Sequence, residues 1–301
     1  MKIKFTLALA AFASLFASAF AQKKPPALPR VAEPVIFAVL NGGTTLEPIA
    51  HIENGKLIAI DAGSGDEQKM FAEKYYKPNT RYHLIFGGAN AGAITVRRSD
   101  YPGECSGNMA DVVSASKAAH LKGMVMALGV NTVIAKTVSG MRRAPTADER
   151  SGLEKAIRAQ FVESGATAGE ANKLHYHNLT ALDVNGDGVP EYVGSFWIAP
   201  KAAERHLMFF IAAKGDFEPY RLAYVDYSKI TPDDVMSGDM NDVDSGVGHE
   251  LLLDVFDYDG DGSAEIFTIG KAFEGDNFFV YKLEKGKWTK TFETYNYRCA
   301  Y

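Results

Sequence analysis

Cysteine is scarce in this 301-residue chain, with Cys105 and Cys299 as the whole complement. A framework of several disulfides is therefore excluded, and one bridge at most is available. In an oxidising compartment an even pair is expected to join, which would tie the extreme C-terminus to the N-terminal half; free thiols are the alternative. Also missing is an excess of positive charge, since 32 Lys and Arg stand against 37 Asp and Glu, a net of −5. Nucleic acid, whose phosphates demand a basic face, is a poor partner for such a chain. Long apolar runs are absent after Phe20. No later segment approaches the about 20 apolar residues that a membrane-spanning helix takes.

What the sequence does have begins at its N-terminus. Met1-Lys2-Ile3-Lys4 is basic, Phe5 to Phe20 is uncharged and apolar, and the run closes on Ala19-Phe20-Ala21. These are the parts of a secretory signal peptide over residues 1–21, so a secreted or periplasmic protein is expected. A membrane anchor is the alternative, for which the stretch is short. Removing residues 1–21 takes away two lysines and no acid, leaving 30 basic against 37 acidic residues, a net of −7. An exported chain with that balance suits divalent cations, which need anionic oxygens. Gln22 to Pro34 is rich in proline and charge and reads as an extended linker.

From Val35 the pattern becomes alternating and β-like. Val35–Leu40, Leu46–Ile52 and Leu57–Ile60 are separated by Asn41-Gly42-Gly43 and Asn54-Gly55. Asn-Gly is a strong hairpin signal because both turn residues take positive φ. Tyr82–Phe86 and Ala93–Arg97 flank the glycine-rich Gly87–Gly92 as a further hairpin, and Met124–Val138 suggests two short strands. One segment breaks the β pattern. Thr146-Ala147-Asp148-Glu149 is a capping box, and Leu153, Ile157 and Phe161 then recur every fourth residue until Gly165. Thr167-Ala168-Gly169-Glu170 is a second box.

After the helix the chain repeats itself. Asp183-Val184-Asn185-Gly186-Asp187-Gly188-Val189-Pro190-Glu191 leads into Gly194–Ile198, Leu207–Ala212 and Tyr220–Tyr227. Asp257-Tyr258-Asp259-Gly260-Asp261-Gly262-Ser263-Ala264-Glu265 leads likewise towards Asn277–Leu283 and Trp288–Tyr295, 74 residues later. Both loops place side-chain oxygens at alternate positions: Asp183, Asn185 and Asp187 in one, Asp257, Asp259 and Asp261 in the other. Calcium gathers about six to eight oxygens, and glycine at the sixth position (Gly188, Gly262) permits the turn that folds them onto one point. The seventh position (Val189, Ser263) offers a backbone carbonyl and the ninth (Glu191, Glu265) a carboxylate. An EF-hand needs Glu at the twelfth position, where this chain has Gly194 and Thr268. The flanks, Tyr192-Val193 and Ile266-Phe267, are strand formers.

The loop, D-x-[DN]-G-D-G-x-x-E followed by a strand, resembles the FG-GAP and VCBS-type repeats of integrin α-subunit propellers and secreted bacterial proteins. The resemblance covers about residues 175–301. It implies blades of about four antiparallel strands with calcium held in the loop between two of them. By position, the implied ligands are Asp183, Asn185, Asp187, Val189 and Glu191, then Asp257, Asp259, Asp261, Ser263 and Glu265, giving two Ca2+ sites.

Other candidates rank lower. Ser237–Glu250 carries Asp239, Asn241, Asp242, Asp244 and Glu250, and reads as a solvated loop or an added weak site. His175 and His177 project to one side of a strand, as a zinc pair would, without a third ligand in sequence range. Gly103-Glu104-Cys105-Ser106-Gly107 has nucleophile-elbow spacing but follows Tyr101-Pro102, a turn signal. Gly87–Gly92 lacks dinucleotide-binding spacing. The expected fold is mainly antiparallel β, with β-propeller-like blades (at least two FG-GAP-like units) and one long helix inserted. Residues 35–145 are degenerate blades or a separate β-domain, 146–174 a helical insertion, and 175–301 the two repeats. The expected function is non-catalytic, calcium-supported binding or structural work with a protein or glycan partner. A secreted hydrolase or lyase with structural calcium is the alternative.

Overall fold

A computed structural model describes residues 33–60, 65–99, 108–132, 140–215 and 219–298. The expected signal peptide, most of the linker, both cysteines and the Gly103–Gly107 motif lie outside the described residues. The described chain is mainly β, and every strand pairing in it is antiparallel.

The N-terminal region contains β1 (Val35–Leu40), β2 (Thr45–Glu53), β3 (Lys56–Ala59), α1 (Gly65–Tyr75), β4 (Arg81–Phe86), β5 (Ala89–Ser99), β6 (Ala110–Ser116) and β7 (Ala127–Val130). Pairing runs β1-β7-β4-β5-β6-β2 and returns from β2 to β1, so six strands close into a barrel. Among the described residues β3 pairs only with β2 and is left as the edge strand of this sheet. The hairpin between β4 and β5 is tighter than the sequence suggested. Only Gly87 and Gly88 turn, and Gly92 lies within β5, where a Cβ would sit 2.1 Å from the Ala115 carbonyl oxygen.

α1 is a second helix where one was expected, and it corrects the single-helix reading. Its charged sequence GDEQKMFAEKY shows little apolar periodicity. Tertiary packing supplies what periodicity does not: Phe71, Ala72 and Tyr75 join Phe37 and Tyr82 in the barrel interior. Met124–Val138 gives β7, with residues 133–139 outside the described set.

The next sheet is formed by β8 (Arg142–Arg143), β9 (His175–Leu182), β10 (Glu191–Lys201), β11 (Glu204–Lys214) and β12 (Tyr220–Ile230), in the order β12-β11-β10-β9-β8. Between β8 and β9 come α2 (Ala147–Glu163) and α3 (Ala168–Ala171), each opened by the capping box read from sequence. Leu153, Ile157 and Phe161 are fully buried against this sheet, at about 2 kcal/mol each of transfer free energy. The last sheet follows α4 (Met240–Ser245) and holds β13 (Glu250–Phe256), β14 (Glu265–Ala272), β15 (Gly275–Glu284) and β16 (Lys287–Tyr297) in sequence order. No described helix is long and apolar enough to cross a membrane.

These parts stack in layers. The outward residues of β1, Ile36 and Ala38, pack with Leu251, Leu253 and Phe267 of the last sheet. The other face of that sheet, with Leu252, Val255, Ile266 and Tyr281, meets Leu182, Val193, Phe209 and Ile211. β1 and β13 are therefore buried on both faces, which is why they read as continuous apolar runs. A buried ion pair pins the layers: Arg142 donates to Asp254 at 2.8 Å, and the Gly87 amide in the barrel donates to both Asp254 oxygens.

Candidate metal centre

Both acidic loops occupy the same place in their sheets. Asp183–Glu191 joins β9 to β10, and Asp257–Glu265 joins β13 to β14. Their internal hydrogen bonds correspond one for one. The amides of Gly186 and Gly260 donate to the first aspartate at 2.7 and 2.8 Å, and those of Gly188 and Gly262 donate to its other oxygen at 3.0 Å each. Asp187 and Asp261 amides donate to Asn185 and Asp259 at 3.0 and 3.2 Å. Val189 and Ser263 amides donate to Asp187 and Asp261 at 2.7 and 2.9 Å. Finally, the Val184 and Tyr258 amides donate to the ninth-position carboxylates, Glu191 and Glu265, at 3.2 and 3.3 Å. Gly186, Gly188, Gly260 and Gly262 all have φ between 75° and 95°, the region that favours glycine.

The loops also touch each other. The Ala264 amide donates to the Val184 carbonyl at 2.6 Å, and both side chains belong to the core between the sheets. Glu191 is 9 % exposed and Glu265 is 1 % exposed. Burial pushes each carboxyl up to about 7. A buried carboxylate without a balancing cation is costly, which fits the Glu191 position to hold a cation.

In charge balance the two loops part company. Lys282, on β15, reaches into the second loop and contacts Asp259, Asp261 at 2.8 Å and Glu265 at 2.9 Å. Burial alone would lower the lysine, but the hydrogen bonds to Asp259, Asp261 and Glu265 more than reverse it, so the ammonium stays charged. Asp257, Asp259 and Glu265 bring oxygens within 4.8 Å of one another, the one such acidic or histidine group among the described residues. The first-loop carboxylates are spread more widely, and Asn185 donates to Asp187 at 3.0 Å. Sequence reasoning missed Lys282, because only the strand register brings it to the loop.

The other sequence candidates resolve differently. Part of Ser237–Glu250 is helical, not a solvated loop: Asp239 caps α4, and Asp244 pairs with Arg205 at 2.5 and 2.9 Å. His175 stacks on Trp197 at 4.2 Å, while His177 meets His249 edge-on at 4.3 Å. No group of three metal-ligating side chains forms there among the described residues.

A second feature lies at the far end of the two sheets from the loops. A cavity of about 210 Å³ opens between them, lined by Ser195, Asp226, His249, Glu250, Lys271 and Lys290 among others. Burial pushes the Glu250 carboxyl up to about 7, while Thr268 donates to it at 2.5 Å. His249 is pushed down to about 3 by burial and then by His177. No protein-family model matches the chain, and comparisons with curated proteins and with solved structures give no match.

Proposed function

We propose that this is an exported calcium-binding β-repeat protein, secreted or periplasmic, with a non-catalytic binding or structural role. The two sheets that follow residue 175 are read as FG-GAP/VCBS-type, propeller-like units, each with a calcium loop between its first two full strands. One observation carries the reading. Two loops 74 residues apart share five backbone-to-side-chain hydrogen bonds and the same buried ninth-position glutamate. Turns that merely reverse the chain have no need to bury a carboxylate. Calcium bound only by the folded state stabilises it by about 2.7 kcal/mol at a hundredfold excess over Kd. Calcium is therefore expected to raise the thermal midpoint, a chelator to reverse the rise, and Asp187→Ala to remove most of it. Identical melting with and without a chelator would overturn the reading.

The Cys105–Cys299 bridge belongs to the same proposal. Arg298 contacts the Met109 sulfur at 3.5 Å, which joins the last described residue to the segment that leads into β6. Thiol titration of the exported protein is expected to find none free.

The cavity favours a second reading, a hydrolase or lyase with structural calcium. A carboxyl held near 7 beside Asp226 and Lys290 is the kind of group that exchanges protons with a substrate. Activity against a polysaccharide panel, abolished by Glu250→Gln in a protein that still melts normally, would establish it.

A further inference from the structure

We propose that Lys282 is a built-in counter-cation for the second loop, so that the two loops bind calcium with different strength. The first would bind tightly, and the second only by displacing the ammonium. This inference rests on the calcium reading above.

The argument begins with register. Tyr192 and Ile266 each follow the ninth-position glutamate of their loop. Tyr192 pairs with Ala212 on β11, and Ile266 pairs with Tyr281 on β15. One residue further along, Ala213 therefore stands where Lys282 stands in the other sheet. The first loop has three carboxylates and the Asn185 amide. The second has four carboxylates and an ammonium, so with every carboxyl ionised both carry the same net charge of −3. In the second loop that balance is reached within the protein. In the first, Glu191 is buried near Asp183 and Asp187 and forms no ion pair among the described residues.

Chemistry turns this into an affinity difference. Calcium needs the oxygens of Asp259, Asp261 and Glu265, and those are the atoms the ammonium engages. Entry must first break three charge-assisted contacts and send the lysine to solvent. That path is short, since the Lys282 side chain is already 18 % exposed and its ammonium lies 6.0 Å from the Tyr258 ring. Calcium bound in the first loop also bears on the second, because Ala264 and Val184 share a hydrogen bond. The pair becomes a two-step calcium responder: one site fills first, and the other responds at higher concentration.

Calorimetric titration of the purified full chain with Ca2+ tests this, using wild type, Lys282→Gln and Ala213→Lys. Wild type is expected to show one tight and one weaker site. Lys282→Gln should strengthen the weaker site by about tenfold or more, leaving the other unchanged. Ala213→Lys should weaken the tight site by a similar factor. Two equal sites in wild type, unmoved by Lys282→Gln, would overturn the counter-cation role while leaving calcium binding intact. No heat of binding in any of the three proteins would overturn the calcium reading itself. Asp187→Ala assigns the tight site, and its loss in that variant is expected.

Discussion

The two acidic loops have nearly the same backbone and different solutions to the same electrostatic problem. Each folds side-chain oxygens inward over glycines, aspartates with Asn185 in the first and aspartates alone in the second, and each buries a glutamate at the ninth position. One loop answers the buried charge from within the protein, through Lys282; the other has Ala213 at that place. The residue that distinguishes them is 17 positions from Glu265 and on the next strand but one from the start of the loop. On the proposed calcium reading, ligand spacing sets where the cation would sit, while a neighbouring strand sets how much it would gain by sitting there.

The sharpest way to break this comparison is to remove the internal cation. In the presence of a chelator, Lys282→Gln leaves the buried Glu265 facing Asp257, Asp259 and Asp261 without compensation. Breaking a buried pair costs about 3–5 kcal/mol, and the partial exposure of Lys282 places the expected loss below that range, at about 2 kcal/mol. Urea unfolding measures it, with Lys285→Gln in the exposed β15–β16 turn as the control, expected to stay within about 0.5 kcal/mol. Saturating calcium should restore the Lys282 variant. Equal losses in both variants would mean that the lysine is a surface charge and the loops are alike.

Protons give a smaller and graded test. Glu191 and Glu265 are both raised to about 7, as are Glu47 and Glu250. A carboxyl raised in the folded state contributes stability that is complete below its unfolded value, near 4.5, and lost as pH rises through about 7. Without calcium, stability should therefore fall between about pH 4.5 and 7. Calcium must expel the proton from Glu191, so its binding should strengthen by up to about tenfold per pH unit in that window and level off above it. Titrations at pH 5.5, 6.5 and 7.5 check this. A flat profile would place Glu191 outside the coordinating set.

Much of this arrangement was legible in the sequence, for identifiable reasons. Asn54-Gly55, the Thr146 and Thr167 capping boxes, and the Leu153-Ile157-Phe161 spacing are local signals, and each marks an element where it was expected. The likeness of the two loops was legible too, because both carry aspartate and glycine in the same order. Barrel closure was not. It depends on β1 finding β2 on one edge and β7, about ninety residues on, along the other. α1 escaped because only Phe71, Ala72 and Tyr75 face inward, too few for a period. Lys282 was invisible as a site residue, and Glu250 was read only as part of an acidic loop, since strand register and sheet stacking bring them to their partners.

The smallest expected effect concerns the seventh position, where the loops differ in residue but not in proposed role. Val189 and Ser263 would each lend a backbone carbonyl, and their amides donate to Asp187 and Asp261 in the same way. Val189 is also 45 % exposed, so its side chain contributes little packing. Val189→Ala and Ser263→Ala should each leave stability and calcium affinity within about 0.5 kcal/mol of wild type. A larger loss confined to Ser263→Ala would show its hydroxyl reaching the cation. The second loop would then offset the lysine it must displace with an oxygen that the first loop lacks, and the affinity gap between the loops would narrow.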